Sequence, residues 1–197
     1  MIALVDYGAG NLASVRNAFA CLGEQTFVTR SAKEIASASR VVFAGVGAAG
    51  SAMANLRAAG LADALVEAAS GEKPFLGICL GMQILFKRTE EDGGTDTLGV
   101  FDGEVRRFPR VDGFKVPQIG WNCVRAPGGG GKAEEEKYFY FVHSYAAQIV
   151  PQTALVCEYA GVEFTALVKR GRLWASQFHP EKSGRAGLEF LKEWLEC

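Results

Sequence analysis

Three short stretches of this 197-residue chain hold residue types that could do chemistry together. The first is Gly77-Ile78-Cys79-Leu80-Gly81, a nucleophile between two glycines and the cysteine counterpart of the Gly-x-Ser-x-Gly elbow. A nucleophile on a sharp strand-to-helix turn adopts a strained backbone. Side chains two residues away on either side would collide, so glycine fits both places. The turn is expected to set Cys79 at a helix N-terminus, where unpaired N–H groups and the macrodipole favour thiolate over thiol. The same pattern also fits a buried structural cysteine with glycines for close packing, so its context decides.

The second stretch is Ser176-Gln177-Phe178-His179-Pro180-Glu181. Pro180 pushes His179 into an extended backbone, and in extended chain residues two apart point the same way. His179 and Glu181 can therefore face one site, the carboxylate fixing the imidazole tautomer and stabilising its protonated form. A lone His-x-Glu is commonly a solvated surface pair. Here His179 is one of only two histidines and stands at a strand end, where α/β sheets line their sites. The third stretch is Gly45-Val46-Gly47, just past another strand end. It is either a plain tight turn or a place where backbone N–H groups, with that of Leu80, aim at a developing oxyanion. One such donor contributes roughly 3–4 kcal/mol to a transition state. Together these groups suit thiol acyl transfer.

Elements must position them. Ile2–Val5 reads as a strand, and the helix after it carries Leu12, Val15, Phe19 and Leu22 on one stripe and stops at Gly23. Gln25–Thr29 and Val41–Ala44 are the next strands, followed by alanine-rich helical sequence to about Ser70. The apolar run Phe75, Leu76, Ile78 gives a buried parallel strand into the elbow, after which Leu80, Ile84 and Leu85 recur at helical spacing. Glu90–Thr97 reads as a polar loop. Short strands are expected at Val105–Phe108, Trp121–Val124, Tyr138–Val142, Leu155–Tyr159, Phe164–Lys169 and Arg172–Gln177. A last helix from about Gly184 has Leu188, Leu191 and Leu195 on one stripe, with Phe190 and Trp194 beside it. The glycine-rich run after Pro127, with Lys132–Lys137, is expected to be a surface loop tip. The expected fold is α/β: a mostly parallel sheet flanked by helices, with additional antiparallel strands in the second half, in a single domain spanning 1–197.

Composition narrows the function classes. A net charge of −1 argues against an extended nucleic-acid surface. No apolar run is long enough to span a membrane, and the N-terminus has no basic region or cleavage site, so a cytoplasmic protein is expected. The five cysteines lack Cys-x-x-Cys spacing, which speaks against a disulfide framework or zinc site. No metal or cofactor is expected. Gly8-Ala-Gly10-Asn-Leu-Ala13 fits a dinucleotide fingerprint, but Asp6 and Tyr7 intervene after the strand and no ribose-binding acid follows Val28-Thr29-Arg30.

These residues resemble the class I (triad) glutamine amidotransferases, on Gly77-Ile-Cys79-Leu-Gly81-Met-Gln83 and Phe178-His179-Pro180-Glu181. The resemblance narrows to the glutaminase-subunit family of imidazole glycerol phosphate synthase. That narrowing rests on Asp6-Tyr-Gly-Ala-Gly-Asn11-Leu, Gly120-Trp121-Asn122, Tyr140-Phe-Val-His143-Ser144-Tyr145 and Gln177-Phe-His-Pro-Glu-Lys182-Ser183. It implies that Cys79 attacks the glutamine side-chain amide, His179 protonates the departing ammonia, and water hydrolyses the thioester. It also implies that Gln83 and the backbone of His143, Ser144 and Tyr145 hold glutamine. His143 itself, in an apolar-flanked strand, reads as structural rather than catalytic. Ammonia would pass to a (β/α)₈-barrel cyclase/synthase subunit, which completes an imidazole ring in histidine biosynthesis. Asn11, Trp121 and Lys182 are candidates for that interface. Each has a plainer reading: helix N-cap, core aromatic and solvated charge. The chain departs from the family pattern at Ala44, Gln118 and Asp102, where the family has Pro, His and Pro.

Overall fold

The computed structural model describes residues 1–128 and 136–197. Of the loop tip expected over Pro127–Lys137, residues 129–135 lie outside the described residues, and Lys137 already opens a strand. In chain order the elements are β1 (Ile2–Val5), α1 (Leu12–Cys21), β2 (Thr26–Thr29), α2 (Ala32–Ser37), β3 (Arg40–Gly45), α3 (Ala49–Ala58), α4 (Ala62–Ser70), β4 (Phe75–Cys79), α5 (Leu80–Gln83), β5 (Phe86–Thr89), β6 (Thr95–Asp96), β7 (Phe101–Arg107), β8 (Gln118–Val124), β9 (Lys137–His143), β10 (Tyr145–Ala147), β11 (Thr153–Tyr159), β12 (Val162–Arg170), β13 (Leu173–Ser176) and α6 (Gly184–Leu195).

The strands short and apolar enough to be buried on both faces form the centre of a seven-stranded sheet, ordered β11-β12-β13-β4-β3-β1-β2. Pairing is parallel from β13 through β4, β3 and β1 to β2, and antiparallel for β11, β12 and β13. Alternation along the buried strands feeds two cores. Leu4, Val42, Leu76 and Ile78 face Phe19 of α1 and Trp194 of α6, whereas Val5, Phe43 and Phe75 face Leu56 of α3 and Leu65 of α4. A four-stranded sheet (β10-β7-β5-β6) and a β8–β9 hairpin-like pair complete the second half. The mixed α/β architecture agrees with the sequence reading.

Several details differ from it. The alanine-rich stretch breaks into α3 and α4 at Gly60, whose φ is 66°. The Glu90–Thr97 loop contains a 3₁₀ turn, Glu91–Gly93, and the short β6. The buried stripe of α6 is Gly187, Phe190, Leu191 and Trp194, with Leu188 and Leu195 only partly covered. The helix is rotated toward its aromatics because Phe190 and Trp194 remove more apolar area from water than leucine does.

Candidate active site

Strand order brings the chemistry together. In the parallel ladder Ser176 of β13 is level with Ile78 of β4, and Gly45 of β3 is level with Cys79. The carboxyl ends of these neighbours open on one edge of the sheet, where such folds hold ligands. The chain leaving β13 brings His179 to one flank of Cys79, and the chain leaving β3 brings Val46 and Gly47 to the other.

Cys79 has φ 54° and ψ −108°, a conformation an L-residue keeps only where its surroundings over-determine it. The surroundings do. A Cβ on Gly81 would lie 1.9 Å from the Phe43 carbonyl oxygen, and one on Gly77 would lie 2.9 Å from the Gly81 oxygen. The two glycines are therefore needed for the reason the spacing suggested. The helix after the elbow falls short of expectation. α5 is a single turn, and Ile84 caps it instead of continuing a stripe. Four residues build little macrodipole, so the electrostatics of the site rest mainly on side chains.

The His179 Nδ1 lies 2.7 Å from Glu181 Oε1, both side chains buried. The carboxylate can only accept, so Nδ1 carries the proton. Nε2 is buried without a hydrogen-bond partner among the described residues, positioned to exchange a proton. Burial opposes charge on this ring, but the Cys79 sulfur and the Glu181 carboxylate outweigh it and raise its pKa to about 10. The pair forms by a different backbone path from the one the sequence suggested. His179 is extended (φ −97°, ψ 95°), as Pro180 requires, but the chain then enters a 3₁₀ turn, Pro180–Lys182. That turn, not strand alternation, brings Glu181 back to the imidazole. Ser183 locks it, its hydroxyl donating to the His179 carbonyl (2.6 Å) and accepting from the Tyr140 N–H (2.9 Å).

The third stretch holds a surprise. The Val46 N–H donates to the Tyr7 hydroxyl oxygen (2.9 Å), and the same hydroxyl donates to the Val46 carbonyl (2.8 Å). Burial pushes the Tyr7 phenol above its ordinary pKa, so it stays protonated and can play both parts. Val46, expected as an oxyanion donor, thus has its N–H engaged elsewhere. Among the described residues the N–H of Gly47 has no acceptor. Gly45 contributes closeness: a Cβ there would sit 3.0 Å from that of Leu80 and 3.1 Å from the Tyr7 hydroxyl. A cleft of about 310 Å³ lies over these groups, lined by Val46, Gly47, Cys79, Leu80, Gln83, His143, Ser144, Tyr145 and His179, among others.

The chain matches the family model described as "Glutamine amidotransferase class-I" over residues 3–196. It belongs to the class-I glutamine amidotransferases. This amidotransferase is similar to the imidazole glycerol phosphate synthase subunit HisH of Dehalococcoides mccartyi (strain CBDB1), 47% identical over 100% of this chain and 97% of the relative. The HisH subunit of Moorella thermoacetica is 48% identical over 99% of this chain and 94% of its own. The chloroplastic hisHF protein of Arabidopsis thaliana is 42% identical over 99% of this chain, which matches 34% of that longer protein. Among solved structures, "Crystal structure of glutamine amidotransferase" superimposes with a TM-score of 0.75 at 18% identity, covering 100% of this chain and 98% of that one. PurLQS from Thermotoga maritima gives a TM-score of 0.72 at 16% identity, over 99% of this chain and 97% of that one. At such identities the structures speak for the fold.

In the amidotransferase cleft the residues expected to hold glutamine are partly committed to one another. Gln83 Nε2 donates to the Tyr145 carbonyl (2.8 Å) and to Gln177 Oε1 (3.0 Å). His143 Nδ1 reaches the same carbonyl at 2.7 Å, so both Tyr145 lone pairs are taken, and the Ser144 carbonyl accepts from the Phe108 N–H. The carbonyls of Ser144 and Tyr145 therefore organise the cleft wall. His143 sits among Phe108, Phe141 and Phe164. Burial, with the charge of His179 nearby, lowers its pKa to about 4 and keeps it neutral. Three residues with roles here escaped the sequence reading. They are Tyr7, Gln177, and Glu91, which accepts the Ala49 N–H at 2.7 Å from the cleft wall. Asp6-Tyr7 and Gln177 lay inside stretches that had already drawn notice, whereas Glu91 carried no signal.

Of the interface candidates, Trp121 and Lys182 come together on the ring of Tyr140. Trp121 meets it edge-on at 6.4 Å, and the Lys182 ammonium lies 5.8 Å from its centroid. Trp121 is 57% exposed, which overturns its reading as a core aromatic; β8 turns this side chain outward. Asn11 is the N-cap of α1, its Oδ1 accepting from the Ser14 N–H, and it is exposed like Lys182. All five cysteines are free. Among the described residues no helix is long and apolar enough to cross a membrane.

Proposed function

We propose that this chain, acting as one domain, is the glutaminase subunit of an imidazole glycerol phosphate synthase working in the cytoplasm. The observation that carries the reading is the convergence of Cys79 with the buried His179–Glu181 pair at the ends of adjacent parallel strands. The names of its full-length relatives supply the pathway.

The steps follow from the groups present. The Cys79 sulfur attacks the side-chain carbonyl carbon of glutamine, and its electron pair becomes the new C–S bond. In the turn conformation that frees Val46 from Tyr7, its N–H joins those of Gly47 and Leu80 around the oxygen that gains charge. His179, protonated through Nε2, gives its proton to the amide nitrogen as the C–N bond breaks, releasing ammonia and leaving a glutamyl thioester. Nε2 then takes a proton from water as the water attacks, and collapse expels the thiolate and glutamate. Glu181 holds the ring throughout. Ammonia passes to a (β/α)₈-barrel synthase partner docked over Asn11, Trp121 and Lys182, which completes the imidazole ring on a ribulosyl-phosphate substrate. The hold of Tyr7 on Val46 supports a further part of this reading. The isolated chain rests with one oxyanion donor withheld, and the partner favours the donor-in turn by binding it better.

The test is glutaminase kinetics with and without the barrel subunit and its ribulosyl-phosphate ligand, beside labelling by a glutamine-like diazo-ketone. Label at Cys79 alone, and a loss of roughly 10⁴-fold or more in Cys79→Ala, are expected. Stoichiometric label at Cys21, Cys123, Cys157 or Cys197 would sink the assignment.

A further inference from the structure

The mechanism above leaves one buried polar side chain in contact with the nucleophile unused. Gln177 is fully buried, and its Nε2 lies 3.7 Å from Cys79 Sγ. We infer that Gln177 is a further catalytic residue, donating an N–H to the Cys79 sulfur and favouring its thiolate form. The inference rests on Cys79 being the nucleophile.

Which end of the Gln177 amide faces the sulfur follows from its neighbours. The Tyr145 carbonyl can only accept, so the Gln83 atom 2.8 Å from it must be the amide nitrogen. That nitrogen has a second hydrogen, directed at a Gln177 atom 3.0 Å away, which must therefore be the carbonyl oxygen. The remaining end of Gln177, its NH₂, is left facing Sγ. The unambiguous Tyr145 acceptor thus fixes the Gln83 nitrogen, which donates to both Tyr145 O and Gln177 Oε1. From Gln83 through Gln177 to Sγ the donation runs one way, and the bond accepted at Oε1 polarises the Gln177 N–H aimed at sulfur. Water cannot replace it, because Gln177 is fully buried. Its own backbone is fixed, the N–H donating to the Ala166 carbonyl at 2.9 Å.

The chemical effect lies in the charge on sulfur. A neutral donor aimed at sulfur bonds more strongly to the anion than to the thiol or thioester. It therefore helps wherever the electron pair resides on sulfur: before attack, and again when collapse of the hydrolytic intermediate breaks the C–S bond and returns the pair to Sγ. Gln83 acquires a second task beyond lining the glutamine cleft, since it holds the Gln177 amide in the donating orientation.

The experiment uses the full chain and compares Gln177→Met, of similar length without the amide, with Gln177→Glu, which keeps the shape but places an acceptor at the sulfur. Iodoacetamide alkylation of Cys79 is followed against pH, with thermal melting as the check on folding. In Gln177→Met the alkylation curve is expected to move to higher pH, with about a tenfold slower rate at pH 7, the scale of one charge-assisted hydrogen bond. A larger displacement is expected in Gln177→Glu. With the barrel subunit present, kcat for glutamine is expected to fall about tenfold while KM stays within about threefold. If Gln177→Met is unfolded, the folded Gln177→Glu chain decides by the same curve. A folded variant whose alkylation curve superimposes on the parent's would overturn the inference. A parent chain that the diazo-ketone fails to label at Cys79 would instead overturn the proposed function.

Discussion

The two turns that meet over the cleft stand on neighbouring strands, level in register at Gly45 and Cys79, yet they are held in opposite ways. The elbow at Cys79 is fixed by volume: Phe43, Ala175 and its own glycines leave no other path for the backbone. The turn at Val46 and Gly47 is fixed by one hydroxyl. Val46 is 40% exposed, among the described residues a Cβ on Gly47 would meet nothing within 4 Å, and among them only Tyr7 binds the Val46 peptide groups. Packed interiors resist small displacements, whereas a single neutral hydrogen bond contributes about 1 kcal/mol net. The nucleophile is thus built to stay and the oxyanion turn to move.

The comparison breaks most sharply at the glycine of the elbow. Gly81→Ala places a methyl carbon 1.9 Å from the Phe43 oxygen, and neither backbone can yield without moving β3 against β4. A loss of about 3 kcal/mol or more is expected, in the range of severe overpacking. The Cys79 alkylation rate should fall with it, because the elbow can no longer keep its shape. Urea denaturation and iodoacetamide kinetics measure the two effects. A stable, fully reactive Gly81→Ala chain would show the elbow to be as adjustable as its neighbour.

Tyr7→Phe sharpens the other side. It deletes the hydroxyl that engages both the N–H and the carbonyl of Val46 while leaving the ring on Phe43. Freed from this hold, the Val46 peptide can turn its N–H to the cleft. In the chain without partner, kcat for glutamine is expected to rise about tenfold, less than the roughly 10²–10³ that one fully formed oxyanion donor is worth, because the freed peptide populates the donor-in turn only part of the time. With partner and ligand the two chains should agree. Steady-state kinetics decides, and an unchanged or lower kcat in the isolated variant would mean that Tyr7 holds a competent turn.

The same contrast explains what could be read from the sequence. The elbow was legible because its glycines answer a local steric demand that spacing alone displays. His179 and Glu181 were legible as a pair, though an extended chain was the wrong reason, since the 3₁₀ turn after Pro180 depends on Ser183 and β9. The single turn of α5 was read as a longer helix because Ile84 and Leu85 keep helical spacing while serving the core beneath β5. α2 is only six residues long, too short for periodicity to register. β5 carries Lys87 and Arg88 at its exposed centre, so composition hides it. Tyr7 and Gln177 act across 39 and 98 residues of chain. Their roles are properties of closure, which no local pattern encodes.

The smallest expected effect lies at Gly47. Its φ of 90° is one that an L-residue adopts only with strain, but no atom waits where a Cβ would go. Gly47→Ala therefore carries a backbone cost alone, about 1–2 kcal/mol of stability in the resting conformation. That is well under the expected loss for Gly81→Ala, although both variants add a single methyl group. Because the turn is exposed and loosely held, the strain can relax locally without reaching β4. The Cys79 alkylation rate should then stay within about twofold of the parent, the independence expected of sites that share no packing partner. Paired urea melts and alkylation rates for the two alanine variants give the result directly. Equal losses of stability and thiol reactivity at Gly47 and Gly81 would mean that the two turns move as one body, and the division between a fixed nucleophile and a movable oxyanion turn would fall.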